Sequence, residues 1–203
     1  MAIINQATKE LQVKVVYYGP GKGGKTTNLE QVHSNVQNVR EKGKLVSLAT
    51  SSDRTLFFDF LPIEAMAIKG FKTKFQLYTV PGQVIYNTTR QLVLRGVDGI
   101  VFVADSQYDK MAENVESFQN LEDNLKTLKL NIADIPYVLQ YNKRDLPNAA
   151  PIEYMEFLLN NRDVQVPSFP GVACRCEGVF EPLNMITRLL LNKFINESSR
   201  KTL

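Results

Sequence analysis

The stretch Gly19-Pro-Gly-Lys-Gly-Gly-Lys-Thr26 meets the phosphate-binding pattern G-x-x-x-x-G-K-[ST] at every fixed position. Gly19, Gly21, Gly23 and Gly24 let the backbone curl until successive N–H groups point inward at a β-phosphate, and the positive end of a following helix dipole adds to them. Lys25 is set to reach the β- and γ-phosphates and the Thr26 hydroxyl to ligate Mg²⁺. Lys22, inside the pattern, and Thr27, just after it, belong to the same candidate site. A glycine-rich turn can spell the pattern by chance, but seldom between a strand and a helix, so a nucleotide triphosphate is the implied ligand.

Four further groups bear on which nucleotide and what becomes of it. Asn142-Lys143-x-Asp145 fits a guanine reader, in which the aspartate accepts hydrogen bonds from the base N1–H and exocyclic amine that adenine cannot donate. Such a paired polar contact rejects the wrong base strongly, because the carboxylate would otherwise be buried unpaired. N-K-x-D alone is a weak signal; after an apolar strand and at this distance from a phosphate loop it is a strong one. The loop at Val172, Ala173 and Cys174 is placed to offer a backbone N–H to the guanine oxygen. Pro81-Gly82-Gln83 reads as a Gly82 N–H for the γ-phosphate followed by a glutamine that orients the attacking water. Thr55 is the candidate for a second protein ligand on Mg²⁺, donated from a loop that closes only while the γ-phosphate is present.

These groups need a sheet to hold them. Leu11 to Tyr18 is a β-branched and aromatic run that reads as a strand, and Leu29, Val32 and Val36 recur at helical spacing behind the glycine loop. A short strand over Ala2 to Ala7 is expected as an edge extension. Leu56 to Leu61 is apolar on both faces, and Gly70 to Val80 alternates, with Phe71, Thr73, Phe75, Leu77 and Thr79 on one side, which predicts an antiparallel pair. Val84 to Leu94 is a helix ended by Gly96, and Gly99 to Asp105 is a continuous apolar run typical of a central parallel strand. Met111, Val115, Phe118, Leu121, Leu125 and Leu128 predict a long helix with an acidic and amide outer face. Tyr137 to Tyr141 reads as a strand, Pro151 opens a short helix through Leu159, Val172 to Cys174 is a last short strand, and Phe180, Leu183, Leu190 and Phe194 line a closing helix. The alternation implies an α/β fold with a mostly parallel central sheet, helices on both faces, and ligands at the carboxyl ends of the strands.

A chain of 203 residues with 44% hydrophobic and 22% charged residues is expected to form one domain, residues 1–203. The net charge of +3 is small and its lysines and arginines are scattered, which gives no reason to expect nucleic acid. Cys174 and Cys176 lack the partners of a zinc site. There is no signal-peptide layout and no apolar run near the roughly 20 residues of a membrane span, so a cytoplasmic protein is expected. The ends lack a myristoylation glycine and a prenylation cysteine, so membrane attachment is expected only through a partner. His33 reads as a surface residue, and Tyr17, Tyr18 and Tyr78 as sheet residues.

Together, Gly19 to Thr26, Thr55, Pro81 to Gln83 and Asn142 to Asp145 resemble the set carried by Ras-like small GTPases. The phrases Tyr17-Tyr-Gly-Pro20, Arg54-Thr-Leu-Phe-Phe-Asp-Phe60, Tyr78-Thr-Val-Pro-Gly-Gln83 and Tyr141-Asn-Lys-Arg-Asp-Leu-Pro147 are similar to the bacterial MglA gliding-motility GTPases. That resemblance spans nearly the whole chain and implies a Ras-like three-layer sandwich. It implies a GTP/GDP switch that hydrolyses GTP, directs gliding or type IV pilus machinery to a cell pole, and is activated by MglB, a roadblock-fold homodimer. It also gives Arg54 the place of an arginine finger supplied in cis, worth about 10³ to 10⁵ in rate when positioned, to act with Gln83 and Lys25. The general pattern has an aspartate where this chain has Thr79, and Asp59 is the candidate to replace its charge. The rival readings are a GTP-dependent scaffold with little hydrolysis, which would need neither Gln83 nor Arg54, and an ATP-dependent phosphotransferase, which would not need the guanine reader.

Overall fold

The computed structural model describes residues 3–5, 8–35, 41–42, 44–49, 55–68, 71–83, 86–162 and 164–200. In chain order these form β1 (Ile3–Asn5), β2 (Glu10–Tyr18), α1 (Lys25–Asn35), β3 (Glu41–Lys42), β4 (Val46–Ala49), β5 (Thr55–Ile68), β6 (Phe71–Thr79) and α2 (Asn87–Leu94). They continue with β7 (Gly99–Asp105), α3 (Met111–Thr127), β8 (Tyr137–Asn142), α4 (Ile152–Leu159), β9 (Ser168–Pro170) and α5 (Phe180–Arg200).

The strands make one sheet in the order β3-β5-β6-β2-β7-β8-β9, with β1 added to β2 and β4 to β5. From β6 to β9 every pairing is parallel, while β5 runs antiparallel to β6. The parallel strands are apolar because helices cover both faces, and all of β7 and β8 is buried. On one face Val16, Tyr18 and Phe102 pack under α2, α3 and α4; on the other Val15, Tyr17 and Val101 pack under α1 and α5. The result is the expected α/β sandwich, three layers deep.

Several elements differ from the sequence reading. β1 does not extend an edge: it pairs Ile3↔Gln12 to Asn5↔Glu10 on the start of a central strand, in the space left because β7 joins β2 only from Val15 onward. β5 runs on to Ile68, well past Leu61, because β6 offers it partners as far as Phe71. Val172 to Cys174 is not a strand. The last strand is Ser168–Pro170, paired with Leu139 to Tyr141, and Ala173–Arg175 forms a 3-10 turn that ends in the left-handed Cys176. The outer face of α3 is acidic and keeps the amide Gln119, but Asn114, Ser117 and Asn124 are buried and Val115 is 42% exposed.

Because β2, β6, β7, β8 and β9 run parallel, their carboxyl ends share one rim of the sheet. Gly19, Val80, Asp105, Asn142 and Gly171 stand at or just beyond those ends, which is where an open parallel sheet holds its ligand.

Candidate nucleotide site

The chain leaves β2 and must enter α1 within a few residues, and glycine makes the turn possible. Gly19 has φ +144° and a Cβ there would lie 2.1 Å from the Val103 carbonyl oxygen; Gly24 has φ +102° and its Cβ would lie 2.1 Å from Asn142 Nδ2. Lys22, between them, holds the left-handed φ of 58° without being glycine. The first turn of α1 carries no acidic residue, so the positive end of its dipole is left for an anion. Lys25 is only 6% exposed, and its Nζ donates to the carbonyls of Gly19 at 3.0 Å and Pro20 at 2.6 Å, which folds the side chain over the loop. Lys25, Thr26 and Thr27 line a cleft of about 950 Å³ that Gly82, Gln83 and Lys143 also line.

β6 carries the second loop into this cleft. A Cβ on Gly82 would lie 2.3 Å from Gly21 Cα and 2.7 Å from Gly21 N, so the two loops approach backbone to backbone and only glycine fits. Thr79 is fully buried at the end of β6.

The third loop follows β8. Asn142, 3% exposed, faces the protein rather than the cleft: its Nδ2 donates to the Gly23 carbonyl at 2.8 Å, and its Oδ1 accepts from the Ala173 N–H at 2.9 Å. One side chain therefore joins the phosphate loop, the base-reading loop and the turn after β9. Lys143 takes φ +67° and its Nζ lies 2.5 Å from Oδ2 of the buried Asp105, which also accepts from the Gln107 N–H at 3.1 Å. Asp145 lies on the same loop with its carboxylate 3.5 Å from the mostly exposed Arg175 guanidinium. Asn28 of α1 exchanges two hydrogen bonds with Gln140 of β8 at 2.8 and 2.9 Å, and the Gln140 amide also donates to the Gly178 carbonyl at 2.6 Å.

Arg54 lies outside the described residues. Thr55 opens β5, in register with Ala49 of β4, and its side chain lies outside the described ones. Among the described residues no group of three or more His, Cys, Asp and Glu side chains gathers that could hold a metal. Cys174 and Cys176 are free thiols, exposed and partly exposed.

Comparison with known proteins decides the family. The sequence model of the ADP-ribosylation factor family matches residues 1–188. The mutual gliding-motility protein MglA of Myxococcus xanthus is 52% identical over 193 residues, covering 95% of this chain and 97% of that protein. The chain belongs to the ADP-ribosylation factor family of small GTPases. More distant likenesses are an uncharacterised protein of Methanocaldococcus jannaschii, 26% identical over 88% of this chain and 97% of that one, and the Ras-related protein Rab-13 of Canis lupus familiaris, 26% identical over 68% and 66%. As a small GTPase it binds GTP and GDP and hydrolyses GTP.

Two residues of this small GTPase's site escaped the sequence reading. Asp105 had a signal: a carboxylate ending an apolar central strand stands at the ligand rim by position alone. Arg90 had none, since an arginine in a helical stretch reads as solvated. In the structure it is fully buried and donates to the carbonyls of Pro81 and Gly82.

Proposed function

We propose that this chain is a polarity switch: it takes GTP in the cleft between the phosphate loop, Gly82–Gln83 and Lys143, hydrolyses the γ-phosphate bond, and releases its effectors as GDP forms. The observation that carries this reading is the close backbone approach of Gly82 to Gly21, beside a cleft that Gly82, Gln83 and Lys25 all line. Gly19, Gly21, Lys22, Gly23, Gly24, Lys25, Thr26 and Thr27 cradle the phosphates. Asp145 reads the base, Lys143 flanks it, the Ala173 N–H is oriented by Asn142, and Asn142 braces all three loops. Gln83 orients the attacking water, and Arg54 neutralises charge that develops on the γ-phosphate.

Thr26 at the cleft offers a hydroxyl, and the described residues supply no carboxylate cage. That donor set suits Mg²⁺ held chiefly by phosphate oxygens, with Thr26 and Thr55 as protein ligands. Bound there, the ion would neutralise the phosphates. β5 pairs with β6 from Phe60↔Tyr78 onward, and one further step of the same antiparallel register would set Asp59 across from Thr79. That register supports Asp59 as the residue that supplies the charge Thr79 lacks. An Asp59→Asn variant is expected to need a higher Mg²⁺ concentration for GTP binding, and a normal magnesium titration would remove it from this role.

The likeness to a gliding-motility protein supports control of motility; on our reading the chain steers gliding or type IV pilus machinery from the cytoplasm, is recruited to a cell pole and is activated by a roadblock-fold homodimer. Among the described residues no helix is long and apolar enough to cross a membrane. The partner would act by moving Arg54 and Gln83 into place. The test is phosphate release from saturating GTP, with and without the roadblock protein, for the wild type, Gln83→Leu and Arg54→Ala. Both variants should bind GTP and lose stimulated release by about 10³-fold or more. A wild type that no partner stimulates would make the protein a GTP-dependent scaffold.

A further inference from the structure

Arg90 is the largest fully buried side chain among the described residues. A buried cation ordinarily needs an acid beside it, yet among the described residues no carboxylate pairs with this one. Its Nε donates to the Pro81 carbonyl at 2.9 Å and its Nη2 to the Gly82 carbonyl at 2.5 Å. Its Nη1 donates to Asn120 Oδ1 at 2.6 Å and lies 3.5 Å from the Tyr18 hydroxyl, while the guanidinium stands 5.2 Å from the Tyr18 ring centroid. Asn120 is itself held, by the Tyr18 hydroxyl at 2.7 Å and by Asn87 and Asn124.

Two features follow. First, the peptide bonds among the described residues are all trans, and in a planar trans peptide the C=O and the following N–H point to opposite sides. Turning the Pro81 carbonyl inward onto Arg90 turns the Gly82 N–H outward, and turning the Gly82 carbonyl inward does the same to the Gln83 N–H. The outward side is that of the cleft, which Gly82 and Gln83 line. Second, the described acceptors around the guanidinium are all neutral, so none of them cancels its charge, which acts on the cleft from behind the loop.

We propose that Arg90 is the positioning residue of this GTPase: it clamps two successive carbonyls so that the Gly82 N–H faces the γ-phosphate and Gln83 starts from a fixed origin. The proposal rests on the reading of Gly82 and Gln83 given above. GTP then gains from Arg90 what GDP does not.

The test compares wild type, Arg90→Lys and Gln83→Leu by fluorescent GTP and GDP affinity, single-turnover hydrolysis and melting of the GDP-bound protein. Lysine keeps the charge but cannot span both carbonyls. Arg90→Lys is expected to hold GDP within about twofold while its hydrolysis rate and its GTP-to-GDP affinity ratio fall about tenfold or more. Unchanged hydrolysis and ratio would overturn the proposal, as would equal losses of GTP and GDP affinity in step with the melting temperature, which mark a purely structural arginine. If Gln83→Leu hydrolyses GTP normally, the reading of the loop fails; if it is inactive while Arg90→Lys is normal, only the role of Arg90 fails. Should Arg90→Lys not fold, Asn120→Ala, which removes the brace on Nη1, must show the same split at smaller size, and parallel losses there would overturn the proposal too.

Discussion

In the proposed reading of Asp145, a single pair of oxygens separates guanine from other bases. A carboxylate accepts from the N1–H and the exocyclic amine, whereas an amide presents one acceptor and one donor, which suits a base with a carbonyl in place of the amine. Asp145→Asn is therefore expected to lower GTP affinity by about 10²-fold or more and to let xanthosine triphosphate compete better than GTP, as read by displacement of a fluorescent nucleotide. The neighbouring Arg175 is mostly exposed and 3.5 Å away, so removing it should change little. The position of Lys25 and Thr26 at the cleft was legible because the pattern that names them has a fixed local spacing. That of Asn142 was only half legible: the motif named it, but its two partners, Gly23 and Ala173, are far away in sequence.

The loops work because the elements behind them are tied together by buried polar groups. Asn28 of α1 and Gln140 of β8 satisfy each other, and Gln140 also holds the loop at Gly178. Gln140→Leu leaves the Asn28 amide and the Gly178 carbonyl without these partners, and each buried orphan costs about 1–3 kcal/mol. Its melting temperature should fall by several degrees, and nucleotide affinity should fall with it because α1 carries Lys25 and Thr26. Val115→Thr on α3 is the contrast. Val115 stands at the right helical spacing for the core but is 42% exposed, and the change should stay within about 0.5 kcal/mol. Helical period placed α3 correctly and misjudged its faces, because Asn114, Asn120 and Asn124 look like solvent residues until the Asp105 backbone, Tyr18 and Asn87 are seen opposite them.

Over the whole molecule, adjacent tyrosines of β2 point to opposite faces of the sheet and both are buried. Burial raises the Tyr17 hydroxyl, and it raises that of Tyr18 against the opposing pull of Arg90. A folded-state value raised above the unfolded one means that stability is kept below about pH 10 and lost above it, where the unfolded chain releases protons that the folded chain retains. The slope should approach roughly 1.4 kcal/mol per pH unit for each tyrosine. Absorbance near the phenolate band should show these two ionising only as the fold is lost, and Tyr17→Phe should flatten the alkaline limb.

By itself the sequence determined the ligand class, the alternation of the central strands with helices and the rim on which the motifs lie. Those follow from local pattern: a glycine loop between strand and helix, continuous apolar runs for covered strands, and motifs that close each strand. Tertiary structure alone decided where β1 pairs, how far β5 runs, that the turn at Ala173 is not a strand, and that Arg90 and the α3 asparagines are interior. Each of these depends on a partner distant in the chain: space beside β2 for β1, a neighbour strand for β5, and inward-turned carbonyls for Arg90. Polarity reads as exposure until such partners satisfy the buried group.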